Sequence, residues 1–462
     1  MRWPFPIVPV LFSLAVACAT GAEQEPVQAA IIGRFAKGPV GAPVRVNSVQ
    51  FESLYGSSNP VAWPAELQAR RFFAQQGAAL HVIRANPGGS LRSALEGDAL
   101  AMSGRHALPL IRDFGVLICP ELTLLPAGEV PGTLQIWRDA MKERRAMLIL
   151  DPPPGLTTVT AMTQWTTQNA PSSASSLAIY YPYLNASING ATTSFGASGS
   201  MAAAWVKNDS LTGEGIWSSP AGTQLPLVAD NLSTTLSTSQ QDALAAVYVC
   251  PIIKPTVSGN IIPWGIRHLD GGNPENRYIS LQRTLNWIGT NVTRLGSISA
   301  SRSNNSALWT ELRGNVQSFL QEIYQRGALQ GTTASQAYFV QCGLGQTMTQ
   351  ADVDSHVVKL MIGVAMTRPS EFTIVQFSWD TRNPARPLAA PRLIMRDGYA
   401  GKQLFYNTPA GATYSLKSSA TMTAGTWFEH AAPVTGDGTW RQAQFEPIYG
   451  RRFFRSEQTA LP

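Results

Sequence analysis

The sequence predicts a multidomain α/β (α+β) protein that ends in a small all-β module. Three observations carry this prediction. Short apolar runs alternate with helical stretches over residues 31–250, an order typical of an α/β domain. Two longer stretches with apolar residues at helical spacing follow, at 278–292 and 306–327. Beyond residue 392, short aromatic and β-branched runs are separated by Gly and Pro, which indicates a small β structure.

The size and composition of the chain agree with several globular domains. Its 462 residues are enough for two to four domains with a sizeable core. Hydrophobic residues make up 44% and charged residues only 14%, against about 25% charged in an average globular chain. We predict five segments: a signal-like segment 1–22, an α/β region 23–255, a second domain 256–379, a Pro-rich linker 380–391 and a β module 392–462.

The N-terminus is typical of an export signal. Arg2 precedes an apolar run from Ile7 to Ala17, which is too short to span a membrane as a mature helix. Small residues suited to cleavage follow, up to Ala22, and Cys18 makes a loose match to a lipoprotein box. Export to the periplasm, surface or medium is therefore favoured. Two alternatives stay open, namely a misassigned start codon and an apolar arm that docks on the core.

The α/β region opens with elements whose ends are marked in the sequence. Ser48 is a candidate N-cap for a helix that buries Phe51 and ends at Gly56. A second helix begins at Pro64, where a missing amide costs nothing, and stops at Gly77. The apolar, β-branched runs predict strands at 31–33, 79–84, 116–119, 146–150, 177–181 and 246–250.

The second domain is predicted to combine two helices with short strands. The helix over 278–292 buries Ile288 and Val292, and Ser306 caps the next helix, which ends at Gly327. Strands are expected at 338–340 and 372–377, and in the β module at 404–406, 413–416 and 452–455.

Charge and cysteine usage argue against a nucleic-acid-binding protein and against a fold held together by disulfides. The net charge of +6 arises from 35 basic and 29 acidic residues that are scattered along the chain, whereas nucleic-acid binders gather basic residues on one face. Beyond Cys18 an odd number of cysteines remains, Cys119, Cys250 and Cys342, so no disulfide framework is predicted. Cys119 and Cys250 are expected at strand positions as small buried hydrophobes.

One segment is similar in sequence to the segment that carries the nucleophilic serine of a class of proteases. The residues around Ser200 match the nucleophile segment of subtilisin-like proteases, whose chemistry needs a base and an orienting acid. The candidates upstream are Asp151, His81 and His106, and none has the neighbours that the family requires. A Gly/Ser-rich loop that enters a helix is the better interpretation.

No other pattern predicts chemistry. The stretch from Asp352 to His356 lacks the glycine turn and distal glutamate of a calcium loop, so it is expected to be the capped start of an element. The five histidines lie far apart, and the acidic residues stand in contexts typical of a surface. We therefore predict no enzyme, and no catalytic, cofactor-binding or metal-binding residues.

The order of short motifs over residues 30 to 379 resembles the contractile tail sheath proteins of phages and related injection machines. Examples are Ile32-Gly33-Arg34 near the start and Arg368-Pro369-Ser370-Glu371-Phe372 near the end. The positions that carry the resemblance are Gly33, Gly38, Pro39, Pro43, Trp217, Pro220, Gly222, Trp264, Gly265, Arg267, Trp309, Gly327, Arg368, Pro369, Glu371 and Phe372.

The resemblance implies a structural subunit that polymerises around a tail tube, with itself and a tube protein as partners. It implies no cofactor, no nucleic acid and no small-molecule substrate. It also implies a subtilisin-like middle region without the triad, and terminal arms that add strands to neighbouring subunits. Both ends of this chain depart from the pattern, through the signal-like segment and the β module. The alternative is therefore an exported, sheath-derived surface scaffold or adhesive protein that no longer contracts; a hydrolase is the third possibility.

Overall fold

The fold is taken from a computed structural model, which describes residues 28–111, 114–210, 215–270, 276–299 and 302–382 and the backbone of six later strands. The signal-like segment 1–22 and most of the linker lie outside these residues. None of the helices in the described part of the chain is long and apolar enough to cross a membrane.

The first domain is built on one large sheet. Its elements in chain order are β1 (Gln28–Gly33), β2 (Val44–Val46), α1 (Ser48–Leu54), α2 (Pro64–Ala74), β3 (Leu80–Arg84), α3 (Leu91–Glu96), β4 (Phe114–Ile118), α4 (Val130–Arg144), β5 (Met147–Leu150), α5 (Val159–Asn169), β6 (Leu177–Tyr181), β7 (Leu184–Ile188), β8 (Ala191–Phe195), α6 (Ser198–Asp209), β9 (Asn231–Leu232), α7 (Thr238–Ala246), β10 (Cys250–Ile253) and β11 (Ile262–Pro263).

The eight strands of this sheet lie in the order β11-β10-β6-β5-β4-β1-β3-β2. The inner strands are parallel, and the edge strands β2 and β11 pair antiparallel. Alternate side chains of one strand enter different cores, as Ile31 and Ile32 do on the two faces. Both faces are covered by helices, which explains why these strands are continuous apolar runs in the sequence.

The order of the strands reverses at β1. From β1 the chain crosses to β3 on one side and later to β4 on the other. In sheets of this kind a crevice opens at the carboxyl ends of the two strands that flank such a reversal, and ligands commonly bind there. In this chain the crevice lies where β1 ends at Gly33 and β4 ends at Ile118.

The second domain packs helices on an antiparallel sheet. Its elements are α8 (Ile279–Leu295), α9 (Ser306–Gln325), α10 (Ala334–Ala337), β12 (Tyr338–Gln341), α11 (Gln350–Asp354), β13 (Val357–Val364) and β14 (Thr373–Asp380). The sheet order is β12-β13-β14. Its core joins the apolar stripe of α9, including Leu312 and Val316, to the inner face of β13, including Leu360 and Ile362.

The C-terminal module is all-β in its described backbone. It contains β15 (Leu393–Gly398), β16 (Gly401–Thr408), β17 (Thr413–Ser419), β18 (Phe428–Thr435), β19 (Thr439–Gln444) and β20 (Phe453–Ala460). These form two three-stranded antiparallel sheets, β15-β16-β19 and β18-β17-β20. The expected multidomain α/β (α+β) class is confirmed.

Several local predictions need correction. The N-caps of α1 and α9 are Asn47 and Asn305, each one residue before the predicted serine. Asn and Ser cap almost equally well, so a neighbouring pair leaves the choice to the tertiary packing. The predicted strand at 246–250 is wrong. Helix α7 continues to Ala246, and the chain turns through Tyr248 (φ +63°) before β10 begins at Cys250.

Candidate assembly surface and the crevice of the central sheet

A carboxylate of the chain itself fills the crevice of the large sheet. Both oxygens of Glu121, just beyond β4, accept from the backbone N–H of Arg34, at 3.1 and 2.9 Å. A Cβ added to Gly33 would lie 2.3 Å from both Glu121 Oε2 and Ala65 Cβ. Glycine at this motif position therefore lets α2 and the carboxylate close on the end of β1. Burial raises the pKa of Glu121 to about 7.

A second buried carboxylate holds the start of α6. Asp151, directly after β5, accepts from the backbone N–H of Ser198 at 2.8 Å and from its Oγ at 2.7 Å. Burial raises the pKa of Asp151 to about 6. Together with Glu66 and Glu121 it is almost fully buried, so the expectation that the acidic residues are surface residues is wrong for these three, and also for Asp209, whose side chain is 9% exposed. Glu121 and Asp151 lie in polar turns after strands, and such turns have the same sequence pattern whether or not helices cover them.

The protease-like segment does not assemble a triad. Asp151 bonds Ser198 and not Ser200, whose buried Oγ has no partner within the described residues. His81 lies on β3 against the side chain of Gln28, and His106 lies beside Arg105. The segment is the first turn of α6 itself, which begins at Ser198, and not a loop that enters the helix.

A cavity of about 320 Å³ lies beside Asp151, at the carboxyl end of the sheet. Its buried polar side chains are already satisfied. Gln68 donates to the Gly196 carbonyl at 2.7 Å and accepts from the Gly199 N–H at 2.8 Å, and the Tyr183 hydroxyl donates to the Pro153 carbonyl. The described residues hold no group of three or more His, Cys, Asp or Glu side chains placed to bind a metal.

The loop after β1 is shaped by the first group of motif positions. Gly38 has φ +104°, and a Cβ there would lie 2.5 Å from the Tyr55 ring. The Arg84 guanidinium donates to the carbonyls of Phe35 at 3.0 Å and Gly38 at 2.7 Å. Pro39 is half-buried and Pro43 is buried in the same loop. These residues fix the path of the chain between β1 and β2.

The motif around Trp217 contacts the second domain. Trp217 is half-buried, lies 6.3 Å from Trp287 on α8, and carries the Arg326 guanidinium 5.1 Å from its ring centre. Pro220 is buried nearby, and Gly222 (φ +100°) donates to the Pro263 carbonyl at 2.8 Å. The motif therefore joins the edge of the large sheet to the helices.

The motif around Trp264 lies at the β11 edge. The N–H groups of Trp264 and Gly265 both donate to the Pro251 carbonyl, at 2.9 and 3.0 Å. A Cβ at Gly265 would lie 2.4 Å from the Cys250 Cα. Arg267 donates to the Ala245 carbonyl at 3.2 Å, while the Trp264 side chain remains 53% exposed. Cys119, just after β4, and Cys250 are both fully buried, as expected.

The remaining motif positions shape the second domain. Trp309 donates from Nε1 to Asn304 at 2.6 Å, and Phe372 packs edge-on against Phe339 at 5.1 Å. Arg368 and Glu371 form an exposed ion pair across a turn that contains exposed Pro369.

Gly327 ends α9 in a Schellman motif. Its N–H bonds the Tyr324 carbonyl at 2.9 Å, and the Ala328 N–H bonds the Ile323 carbonyl at 3.0 Å. The φ of +85° at Gly327 explains the glycine. Farther along, α11 begins with the Thr349 capping box that includes Asp352, so this segment is the capped start of an element, as predicted.

The second domain presents a free strand edge. β14 pairs with β13 over eight residues and with no other strand of the described chain. Alternate residues of β14, including Ile374 at 61% exposure, face outward. Unpaired edge N–H and C=O groups of this length form a template for strand addition by another segment. β13, which supports this edge, was not predicted from the sequence.

Similarity to known proteins appears in structure and not in sequence searches. No protein-family model matches the chain, and no curated protein matches it. The sheath complex of the extracellular contractile injection system PVC, in its contracted state, is 22% identical with a TM-score of 0.61, over 83% of this chain and 99% of that chain. The helical sheath of the anti-feeding prophage, contracted, is 22% identical with a TM-score of 0.59, over 77% and 93%.

A more distant structure gives the same result. The sheath tail protein of Listeria innocua is 10% identical with a TM-score of 0.54, over 78% of this chain and 97% of that chain. This chain therefore has the fold of contractile sheath proteins, and the resemblance read from the sequence is confirmed at the level of the fold.

Proposed function

We propose that this chain, which has the fold of contractile sheath subunits, is a structural subunit of the sheath of a phage tail or phage-like injection apparatus. The observation that carries the proposal is the structural match over 99% of a sheath chain. We further propose that the chain polymerises around a tail tube protein and has no enzymatic activity. The second point is supported by Asp151, which bonds Ser198 and not Ser200, so Ser200 lacks the base and the orienting acid that a protease nucleophile needs.

The proposed mode of assembly is strand addition at the β12-β13-β14 sheet. A terminal segment of a neighbouring copy would pair with the free edge of β14, as the resemblance to the family implies. Main-chain pairing of this kind tethers subunits while rigid bodies change their packing. The segment boundaries 23–255, 256–379, 380–391 and 392–462 are part of this proposal.

Negative-stain electron microscopy of the chain lacking residues 1–22, at high protein concentration, tests the proposal. Striated tubes or stacked rings are expected. A matched pair of variants tests the edge: Ile374→Lys adds a charge to the outward row of β14, and Val257→Lys adds one at a loop residue that is 99% exposed. Assembly should be lost only with Ile374→Lys. Monomers of the unmodified chain at every concentration would refute the proposal.

Two further measurements address the partner and the chemistry. Co-expression with a tail tube protein should give tubes filled by that protein, and empty or absent tubes would count against the tube partner. Serine-reactive probes should leave the chain unlabelled. Strong labelling that disappears in Ser200→Ala would overturn the non-enzymatic assignment.

The β module favours a second candidate, an exported sheath-derived scaffold or adhesive protein that no longer contracts. Two three-stranded sheets follow the second domain, and a signal-like segment precedes the first. Deletion of 380–462 should leave a soluble core. Assembly of that core into tubes supports the sheath, whereas secreted monomers that bind a surface only when the module is present support the scaffold.

A further inference from the structure

Two carboxyl groups in the first domain are buried without a salt bridge to a described residue. Glu121 is 3% exposed and Asp151 is 5% exposed. Within the described residues, neither forms an ion pair, and their direct partners are the Arg34 N–H and Ser198. An ionised carboxylate in such a place loses its hydration, and only Glu121 has a cation nearby, the Arg34 guanidinium, which is not bonded to it.

The groups around Glu121 come from three elements. The end of β1 contributes Arg34, whose guanidinium donates to the Gly89 carbonyl at 3.3 Å and lowers the pKa of Glu121 less than burial raises it. The end of β4 contributes the Cys119 thiol, whose own pKa is raised by burial and then by Glu121. Helix α2 contributes Ala65 at the point of contact.

The groups around Asp151 are neutral. Ser198 comes from α6, Tyr183 follows β6, and Cys119 follows β4. The remaining acidic residue of this region, Glu66 on α2, accepts from Ser57 and lies 3.3 Å from Arg70. A counter-charge is therefore available to Glu66, while Asp151 has none.

Proton uptake removes the buried charge without breaking these contacts. A protonated carboxyl keeps a carbonyl oxygen that can accept from the Arg34 N–H, or from the Ser198 N–H. For Asp151, the O–H group formed by protonation can donate to the Ser198 Oγ. The protonated acids therefore suit their sites better than the carboxylates.

We propose that Glu121 and Asp151 form a proton-dependent clamp, which ties the ends of β4 and β5 to the end of β1 and the start of α6 and stabilises the fold most when both carboxyls carry a proton. The inference concerns the first domain alone and does not depend on assembly.

The expected pH dependence follows from the direction of the shifts. Burial raises the pKa of Glu121 from 4.5 to about 7 and that of Asp151 from 3.8 to about 6. At a pH between the unfolded and the folded pKa of each group, the folded chain holds a proton that the unfolded chain has released. The free energy of unfolding therefore falls as the pH rises from about 4 to about 7. Glu121 alone should raise the unfolding constant roughly 70-fold between pH 5 and pH 8.

Infrared difference spectroscopy of the full chain tests the clamp directly. At pH 6.0 exposed carboxyls are ionised, so a protonated-carboxyl C=O band that disappears at pH 8.5 is expected from the two buried groups. Glu121→Gln should remove most of this band, because Gln keeps the acceptor for the Arg34 N–H without titrating. The matched control is Asp242→Asn, an exposed carboxylate on α7, which should leave the band unchanged.

Urea unfolding at pH 5 and pH 8 gives the second readout. The wild type should lose stability as the pH rises, and Glu121→Gln should flatten this dependence. Should that variant fail to fold, Asp151→Asn provides the same comparison. The protonated-carboxyl band of the wild type at pH 6.0 tests the clamp without any variant. No protonated-carboxyl band at pH 6.0, or equal pH slopes for wild type and Glu121→Gln, would overturn the clamp.

Discussion

The buried pair of Arg283 and Asp209 offers the sharpest test of how the two domains are joined. Arg283 lies on α8 and Asp209 ends α6, so the pair links the helices of the second domain to the large sheet. Two parallel bonds join them, one of them 2.8 Å from Nη1 to Oδ1. The guanidinium also lies 4.9 Å from the ring centre of Trp205. We predict that removing Asp209 alone destabilises the chain strongly.

The magnitude follows from burial. The Arg283 side chain is 2% exposed and that of Asp209 is 9% exposed. Asp209→Ala leaves an uncompensated buried guanidinium, which costs about 3–5 kcal/mol. Burial raises the pKa of Asp209 more than Arg283 lowers it. The attraction between the two charges therefore offsets only part of the cost of their desolvation. The double variant Asp209→Leu/Arg283→Met should therefore recover most of the loss.

Urea unfolding followed by circular dichroism measures both effects. The matched control is Glu311→Gln, which breaks the exposed pair with Arg302, with side chains 46% and 41% exposed, and should cost less than about 1 kcal/mol. Equal losses for Asp209→Ala and Glu311→Gln would refute the reasoning. So would a double variant that is less stable than Asp209→Ala, because it would mean that the pair itself, and not the stranded charge, supplies the stability.

Three further predictions concern single positions. Gly33→Ala should lose about 1–3 kcal/mol of unfolding free energy through overpacking, while Gly128→Ala, whose added Cβ would meet nothing within 4 Å, should not. Gly327→Ala should lose about 1 kcal/mol of unfolding free energy by straining the Schellman turn. Gly314→Ala, on the exposed face of α9, should gain about 0.5–1 kcal/mol. Equal effects of the two substitutions would contradict the argument from the positive φ of Gly327. Hydrogen bonds from Lys359 and Thr349 lower the pKa of Asp352 to about 2, so the contact between α11 and β13 should weaken only as the pH falls from about 4 to 2, and hydrogen exchange of that segment measures it.

The sequence alone determined most elements whose signal is local. The apolar runs located β1, β3, β4, β5 and β6 to within a few residues, because strands covered on both faces leave a continuous run. Pro64 marked the start of α2, and Gly327 marked the end of α9, because each residue has a backbone preference that few alternatives share. The order of the short motifs over residues 30 to 379 added the resemblance to sheath proteins, which these local signals did not give.

Other features were decided only by the tertiary structure. β13 escaped prediction because its outward face is half-buried and carries Lys359 and Met361, so its pattern is not a plain apolar run. Glu121 and Asp151 looked like turn residues of a surface, since burial depends on helices that arrive from distant parts of the chain. Arg283 and Asp209 stand 74 residues apart. Local preferences locate most helices and strands, whereas the exact caps, strand order, buried charge and domain contacts arise from long-range packing that no short stretch of sequence encodes.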